Sequence, residues 1–462
     1  MPTRRYDDGS PVIPGGVAVP VRKVVVVGAG IAGLTAANAL RNAGVGAVVL
    51  EARGRIGGRL HTVDLGGSPV DLGGSWIHTP IGNPMTTWAD QAGIERRPAN
   101  AFDELVAWDP GYGRLDGSTL DRLMELTFDD FPAARDRLRR ELGDEVTVAA
   151  AIERFATEQH ALGLGDADAS RLRHLLRAVA ESDSGGDTGE IALRDFPANG
   201  LDYEGEELGD MLVGGYSRAA DARAEGVDVR LGDPVVRIET DDGGVRVSTA
   251  RGDVHAASHV LVTIPLGVLK AGSIVFDPPL PEARRSAIER LGFGRFEKVA
   301  LRFPRAAWTE AGAPHLVVLP HDERRSIPFL LGLDRFLGEP VVIAFGFGSS
   351  VALLSEGTES EAANRVRDLL ARAIGHDLPE PQAIARTGWE KDPYTLGGYA
   401  FVRQGSTPAD LDTLGEPIGG RLLFAGEATG HARVGYADGA LTTGIREAKR
   451  LTGRSEVELG RA

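Results

Sequence analysis

The stretch that decides the fold begins Val24-Val25-Val26-Val27-Gly28-Ala29-Gly30-Ile31-Ala32-Gly33. An alanine- and leucine-rich run from Leu34 to Ala43 comes next, and then Ala47-Val48-Val49-Leu50-Glu51. Four valines bounded by glycine predict a parallel strand buried on both faces. Leu34 to Ala43 has the composition of a helix, and Ala47 to Leu50 that of a second strand. Gly28-x-Gly30-x-x-Gly33 therefore ends a strand and opens a helix. Gly28 permits the turn, Gly30 lets the backbone approach a pyrophosphate, and Gly33 lets the helix pack on the strand. The free N–H groups at the helix start, around Ile31 and Ala32, then face the phosphates. Glu51 closes the second strand eighteen residues after Gly33, where it can accept hydrogen bonds from ribose hydroxyls.

The residues after Glu51 narrow the nucleotide. Ala52-Arg53-Gly54-Arg55-Ile56-Gly57-Gly58-Arg59 sets three arginines and a glycine pair just past the ribose. Arg59 can neutralise pyrophosphate, while Gly57 and Gly58 admit backbone contact. This favours FAD over NAD.

Composition excludes several function classes. The net charge of −15 argues against nucleic acid as a partner, because phosphate binding needs a basic surface. It suits a cationic small molecule or simply keeps the chain in solution. The absence of cysteine excludes disulfides, thiolate metal sites and a thioether-linked flavin. No metal site is expected: His255 and His259 have helical spacing but lead into a strand. Residues 1–20 hold no apolar core of signal-peptide length and are expected to be a flexible lead-in. No apolar run approaches the ~18 residues of a membrane span, so no membrane association and a cytoplasmic location are the expectation. Of 51 basic residues only five are lysine: Lys23, Lys270, Lys298, Lys391 and Lys449.

Farther along, residues 115–182 are predicted helical from apolar spacing. Ser182 to Gly189 is expected to be a polar, glycine-rich linker. Strands are predicted at 227–231, 235–238, 245–249, 260–264, 296–303, 340–347 and 422–425, and helices at 359–374 and 437–451.

The chain as a whole resembles the flavin-containing amine oxidase family, which includes polyamine and monoamine oxidases, L-amino-acid oxidases and lysine-specific histone demethylases. The residues that carry the resemblance are 24–62, Asp71-Leu72-Gly73-Gly74-Ser75-Trp76-Ile77-His78, Thr263-Ile264-Pro265-Leu266-Gly267, Gly292-Phe293-Gly294-Arg295-Phe296-Glu297-Lys298-Val299 and Phe424-Ala425-Gly426-Glu427-Ala428-Thr429-Gly430. It covers nearly the whole chain, residues 95–205 least. It implies an α/β fold: a doubly wound, Rossmann-like FAD-binding domain (21–94, 206–285 and 386–462) with an inserted α+β substrate domain (95–205 and 286–385). It also implies that Gly74, Ser75, Trp76, Gly426 and Glu427 join the cofactor contacts, with Val235 meeting the adenine. The helix that starts near Ala437 should aim its N–H groups at the flavin, where the reduced ring carries negative charge. Gly398 stands where monoamine oxidases carry the flavin-tethering cysteine, so the FAD is expected to be noncovalent.

The resemblance places Lys298 where the family's lysine positions a water near flavin N5. A chain that writes arginine so consistently wrote lysine here, and only lysine has a shiftable proton. Tyr399 and Tyr436 match two rings that bracket the substrate amine. His78 matches a histidine near flavin and substrate in polyamine oxidases, and Trp389 a tryptophan near the ring, although core packing explains Trp389 equally well. Glu181, Asp183 and Asp187 could meet a distal ammonium, with a solvated linker the simpler reading. The implied reaction is hydride transfer from an amine, foremost a polyamine, to the flavin. The imine hydrolyses to an aldehyde and O2 becomes H2O2. Alternatives are a monoamine or L-amino-acid oxidase, a flavin-dependent desaturase, or a non-catalytic binding protein of this fold. Ser75-Trp76-Ile77, where L-amino-acid oxidases usually place an arginine, favours an amine without an α-carboxylate.

Overall fold

The computed structural model describes residues 23–196, 209–322 and 324–455. The lead-in expected over 1–20 lies outside these residues. The glycine-bounded valine strand Lys23–Val27 is the centre of a five-stranded parallel sheet, in the order Leu422–Phe424, His259–Val262, Lys23–Val27, Gly46–Leu50, Asp228–Arg230. Val24, Val25 and Val26 are fully buried, each contributing roughly 2 kcal/mol through apolar burial. A parallel sheet must be covered on both faces, and here the covers differ. Helices Ile31–Asn42 and Ala437–Thr452 pack with Val24 and Val26. On the other face a four-stranded sheet, Val235–Asp241, Gly244–Thr249, Val254–Ala257 and Val275–Asp277, supplies Val235, Ile238, Val245 and Val247 against Val25, Val27 and Leu50.

A second large sheet has seven strands, in the order Ala383–Arg386, Phe296–Arg302, Val341–Phe347, Phe329–Gly332, His315–Val318, Leu105–Asp109, Gly113–Arg114. Its outer face packs on helix Glu359–Ile374 through Val299, Leu301, Val366 and Leu370. That helix starts on a Thr358–Glu361 capping box and stops at left-handed Gly375. Part of the opposite face meets the helices between Gly117 and Ser184 through Ala107 and Val317. The rest of that face floors a cavity.

The expected linker at Ser182–Gly189 is corrected. The helix Asp166–Ser184 runs through its first half, and Glu181, Ser184 and Thr188 are buried. Its glycines permit contact rather than freedom. A Cβ on Gly185 would sit 2.9 Å from Gly294 Cα, and one on Gly186 would sit 2.4 Å from the Phe401 ring. The solvated reading of the three acids falls with it: Glu181 is buried, Asp183 lines the cavity, and Asp187 pairs with Arg295 at 2.5 Å.

Candidate active site

A cavity of about 680 Å³ runs from the parallel sheet to the seven-stranded sheet. Gly28, Gly30, Ile31, Ala32, Glu51, Ala52, Arg53, Gly58, Arg59, Gly74, Ser75, Trp76, His78, Val235, Lys298, Trp389, Tyr399, Gly426, Glu427, Tyr436 and Ala437 all line it. Gly33 alone of the expected site residues does not line it. A Cβ there would meet Gly28 O at 2.0 Å, so Gly33 is a packing glycine. Gly30 is its opposite: a Cβ at that position meets nothing within 4 Å, so the space in front of it is cavity.

The cavity touches two helix N-termini. Helix Ile31–Asn42 starts at Gly30 with no capping side chain and no acid in its first turn. Its free N–H groups and positive dipole end suit an anion. Helix Ala437–Thr452 starts at Tyr436, again without a side-chain cap. The acid in its first turn, Asp438, is paired with Arg433 at 2.9 Å. Glu51, at the end of the strand Gly46–Leu50, is buried and already organised: its carboxylate accepts from Ala29 N at 2.8 Å and Arg53 N at 2.9 Å. Arg53 in turn pairs with Asp392 at 2.7 Å. Arg59 Nη1 donates to Gly398 O and to Glu427 Oε1, both at 2.7 Å. Glu427 Oε2 accepts from Gly435 N at 3.0 Å and Ala400 N at 3.2 Å. Glu427 is thereby neutralised and ties three loops together. Trp389 is buried, its indole N–H donating to Leu72 O at 3.1 Å. Two donor-rich ends, a glycine opening and paired acids fit an elongated dinucleotide.

Lys298 sits on the strand Phe296–Arg302, between neighbouring strands on both sides. Its side chain is 1% exposed. Nζ donates to Gly73 O at 2.7 Å, Asp71 O at 3.0 Å and Ser75 Oγ at 2.7 Å. The rings of Phe345, Phe296 and Trp76 stand 5.2, 5.4 and 6.0 Å from it. Burial drives its pKa down, against the opposing pull of the Asp71 carboxylate. Asp71 is driven up, first by its own burial. Removing both charges from water is the shared cause.

Tyr399 and Tyr436 both line the cavity, and Gly435, next to Tyr436, stands so close to Tyr399 that a Cβ there would lie 3.6 Å from its ring. Tyr399 O–H donates to Ser182 O at 2.6 Å, so the end of helix Asp166–Ser184 fixes that ring. His78 packs edge-on against Tyr436, with ring centres 5.1 Å apart. Burial first, and then the Asp183 carboxylate, push both tyrosine hydroxyls above their ordinary range. Asp183 therefore stands near both rings, and not at the distal end of the substrate where the sequence reading sets it. On the substrate side the walls are otherwise mostly apolar: Phe102, Phe128, Val179, Phe329, Leu331 and Phe347. Arg53, paired with Asp392, and Arg59, paired with Glu427, are the only arginines lining the cavity among the described residues. Among the described residues no group of three or more metal-ligating side chains occurs, and no helix is long and apolar enough to cross a membrane.

Fold and site together define a flavoenzyme with a buried lysine and an aromatic pair at one helix N-terminus. The chain belongs to the flavin containing amine oxidoreductase family, whose model matches residues 31–452. FAD is its cofactor, and with no cysteine in the chain no thioether can tether it. It is 35% identical over 456 residues to Lysine-specific histone demethylase 1 homolog 2 of Oryza sativa subsp. japonica, covering 94% of this chain and 58% of that protein. It is 31% identical over 441 residues to Lysine-specific histone demethylase 1B of Mus musculus, covering 93% and 53%. The chain thus spans little more than half the length of these relatives. Wild-type putrescine oxidase bound to putrescine shares the fold, with a TM-score of 0.74 at 22% identity over 94% of this chain and 99% of that one.

Proposed function

We propose that this protein oxidises an amine, foremost a polyamine, to an imine that hydrolyses to an aldehyde, with O2 reduced to H2O2. The observation that carries the reading is the juxtaposition of a fully buried Lys298 with the Tyr399–Tyr436 pair at the start of helix Ala437–Thr452. Bound here, FAD would supply the two-electron acceptor and the reactivity toward oxygen. The chain's residues do the rest. Tyr399 and Tyr436 hold the amine between ring faces and exclude bulk on its nitrogen. His78 supports Tyr436 from the side. Asp183 attracts the incoming cation to the ring pair. Lys298, held on three oxygens, has a proton it can share and positions a water or oxygen beside the reacting atoms. The uncapped N-terminus at Ala437 stabilises negative charge on the reduced cofactor.

The nucleotide end is assigned on the same footing. Gly28, Gly30, Ile31, Ala32 and Gly58 cradle the phosphates. Glu51, Ala52, Arg53 and Val235 serve the ribose and adenine. Arg59, Gly74, Ser75, Trp76, Trp389, Gly426 and Glu427 shape the middle of the site. No arginine lines the substrate end among the described residues, which speaks against an α-carboxylate and so against an amino-acid oxidase.

A peroxide-release screen tests the substrate class. It would span spermine, spermidine, N-acetylated polyamines, putrescine, benzylamine, tyramine, L-amino acids and an N-methyl-lysine peptide, the last prompted by the relatives' names. Peroxide with polyamines supports the reading. Peroxide confined to L-amino acids or to the methylated peptide would replace it.

A further inference from the structure

His315 lies at the far end of the cavity, in the strand His315–Val318. It is 1% exposed, and neither ring nitrogen has a hydrogen-bond partner among the described residues. A buried polar atom without a partner is costly and uncommon. One ring face stacks on Phe336 at 4.8 Å. Burial, the leading effect, pushes the imidazole down to about 4, so it is neutral near pH 7 and keeps one nitrogen free to accept. The charges that act on it are Glu104, Asp334 and Arg335, two acids against one base.

The sheet register places His315 relative to the lysine. Lys298 pairs with Phe345, Phe345 with Phe329 and Phe329 with Val317, all on one face. His315 is two residues from Val317 and so shares that face. Three strand spacings and two residues along a strand separate Lys298 from His315 by roughly 16 Å. The intervening floor is aromatic and aliphatic.

We propose that His315 is a second recognition point for the substrate, accepting a hydrogen bond from the far nitrogen of a long diamine or polyamine whose near nitrogen sits at Tyr399 and Tyr436. The aromatic floor then carries the methylene chain, and the net negative surroundings of His315 favour the distal cation. The inference rests on the amine-oxidation reading above.

The test uses the FAD-loaded enzyme and α,ω-diamines of increasing length, each against the n-alkylamine of equal length. In the wild type the kcat/KM advantage of the diamine should appear only in the longer members. In His315→Phe, which keeps the stack on Phe336, that advantage should fall about tenfold, as for one lost hydrogen bond to a charged donor. His315→Gln should restore part of it, and His315→Leu serves if the phenylalanine variant does not fold. The substrate-free variants should melt at or above the wild-type temperature. An unchanged advantage in the variants, no dependence on length, or a lowered melting temperature would overturn the role of His315 while leaving amine oxidation standing. If no amine reduces the wild-type flavin under anaerobic conditions, the amine reading itself fails and this inference with it.

Discussion

Lys298 Nζ lies 2.7 Å from Ser75 Oγ and, through Gly73 O and Asp71 O, holds the whole 71–75 loop against the seven-stranded sheet. One side chain thus ties this loop to the strand Phe296–Arg302 at the wall of the cavity. A buried lysine with three oxygen partners costs stability unless every partner is kept. Its two possible duties, pinning the loop and serving the reaction, separate by mutation.

Lys298→Met should retain FAD but slow reaction of the reduced enzyme with oxygen by about a hundredfold or more. It should also cost about 1–3 kcal/mol of stability, because two carbonyls lose their donor. Lys298→Arg should not rescue the oxygen rate, since guanidinium does not release its proton. Stopped-flow reoxidation checks both. A variant with the wild-type rate removes Lys298 from the chemistry and leaves it a structural tie.

Gly33→Ala and Gly30→Ala should fail differently. The first forces a methyl to 2.0 Å from Gly28 O and should destabilise the protein by several kcal/mol even without cofactor. The second enters open space, so apo stability should hold while FAD affinity falls. Apo melting temperatures and FAD titration distinguish them. Equal apo melting points for the two variants would contradict the division between packing and cofactor glycine.

Asp183→Asn should raise KM for a cationic amine about tenfold with a smaller change in kcat, since its charge acts on arrival rather than on the bond broken. Steady-state kinetics over a range of salt concentrations are the check. An unchanged KM would return Asp183 to a purely structural place beside Tyr399.

Acid should weaken the fold through two buried histidines. His259 and His315 are both pushed down to about 4, chiefly by burial. Their folded pKa values lie below the unfolded value near 6.5. Their contribution is therefore complete above about 6.5 and is lost as pH falls toward 4, up to roughly 3 kcal/mol each. Urea midpoints measured between about pH 7 and pH 4 should fall, and His315→Phe should flatten the slope. A variant with the wild-type slope would show that His315 protonates freely in the folded state.

The strand–helix–strand start and the cavity wall it forms were legible because their signals are local. Gly28, Gly30, Gly33 and Glu51 lie within one strand–helix–strand unit, and turn, helix start and acid occur at spacings that backbone geometry requires. Lys298 and the two tyrosines were legible from their flanking residues through the family resemblance. His315 was not, because its meaning depends on a register across four strands, two of which, His315–Val318 and Phe329–Gly332, the sequence pattern did not reveal. Gly185 and Gly186 misled: glycine used for close packing and glycine used for flexibility look alike along a chain. Asp183 becomes informative only as part of the helix Asp166–Ser184, whose end meets Tyr399 through Ser182.

The most direct test of the account is anaerobic addition of spermine to the purified FAD-loaded protein. The visible flavin band should bleach, and on admitting air it should return with release of peroxide and an aldehyde. A protein that holds FAD yet keeps its band unchanged with spermine and every other amine of the screen would contradict it.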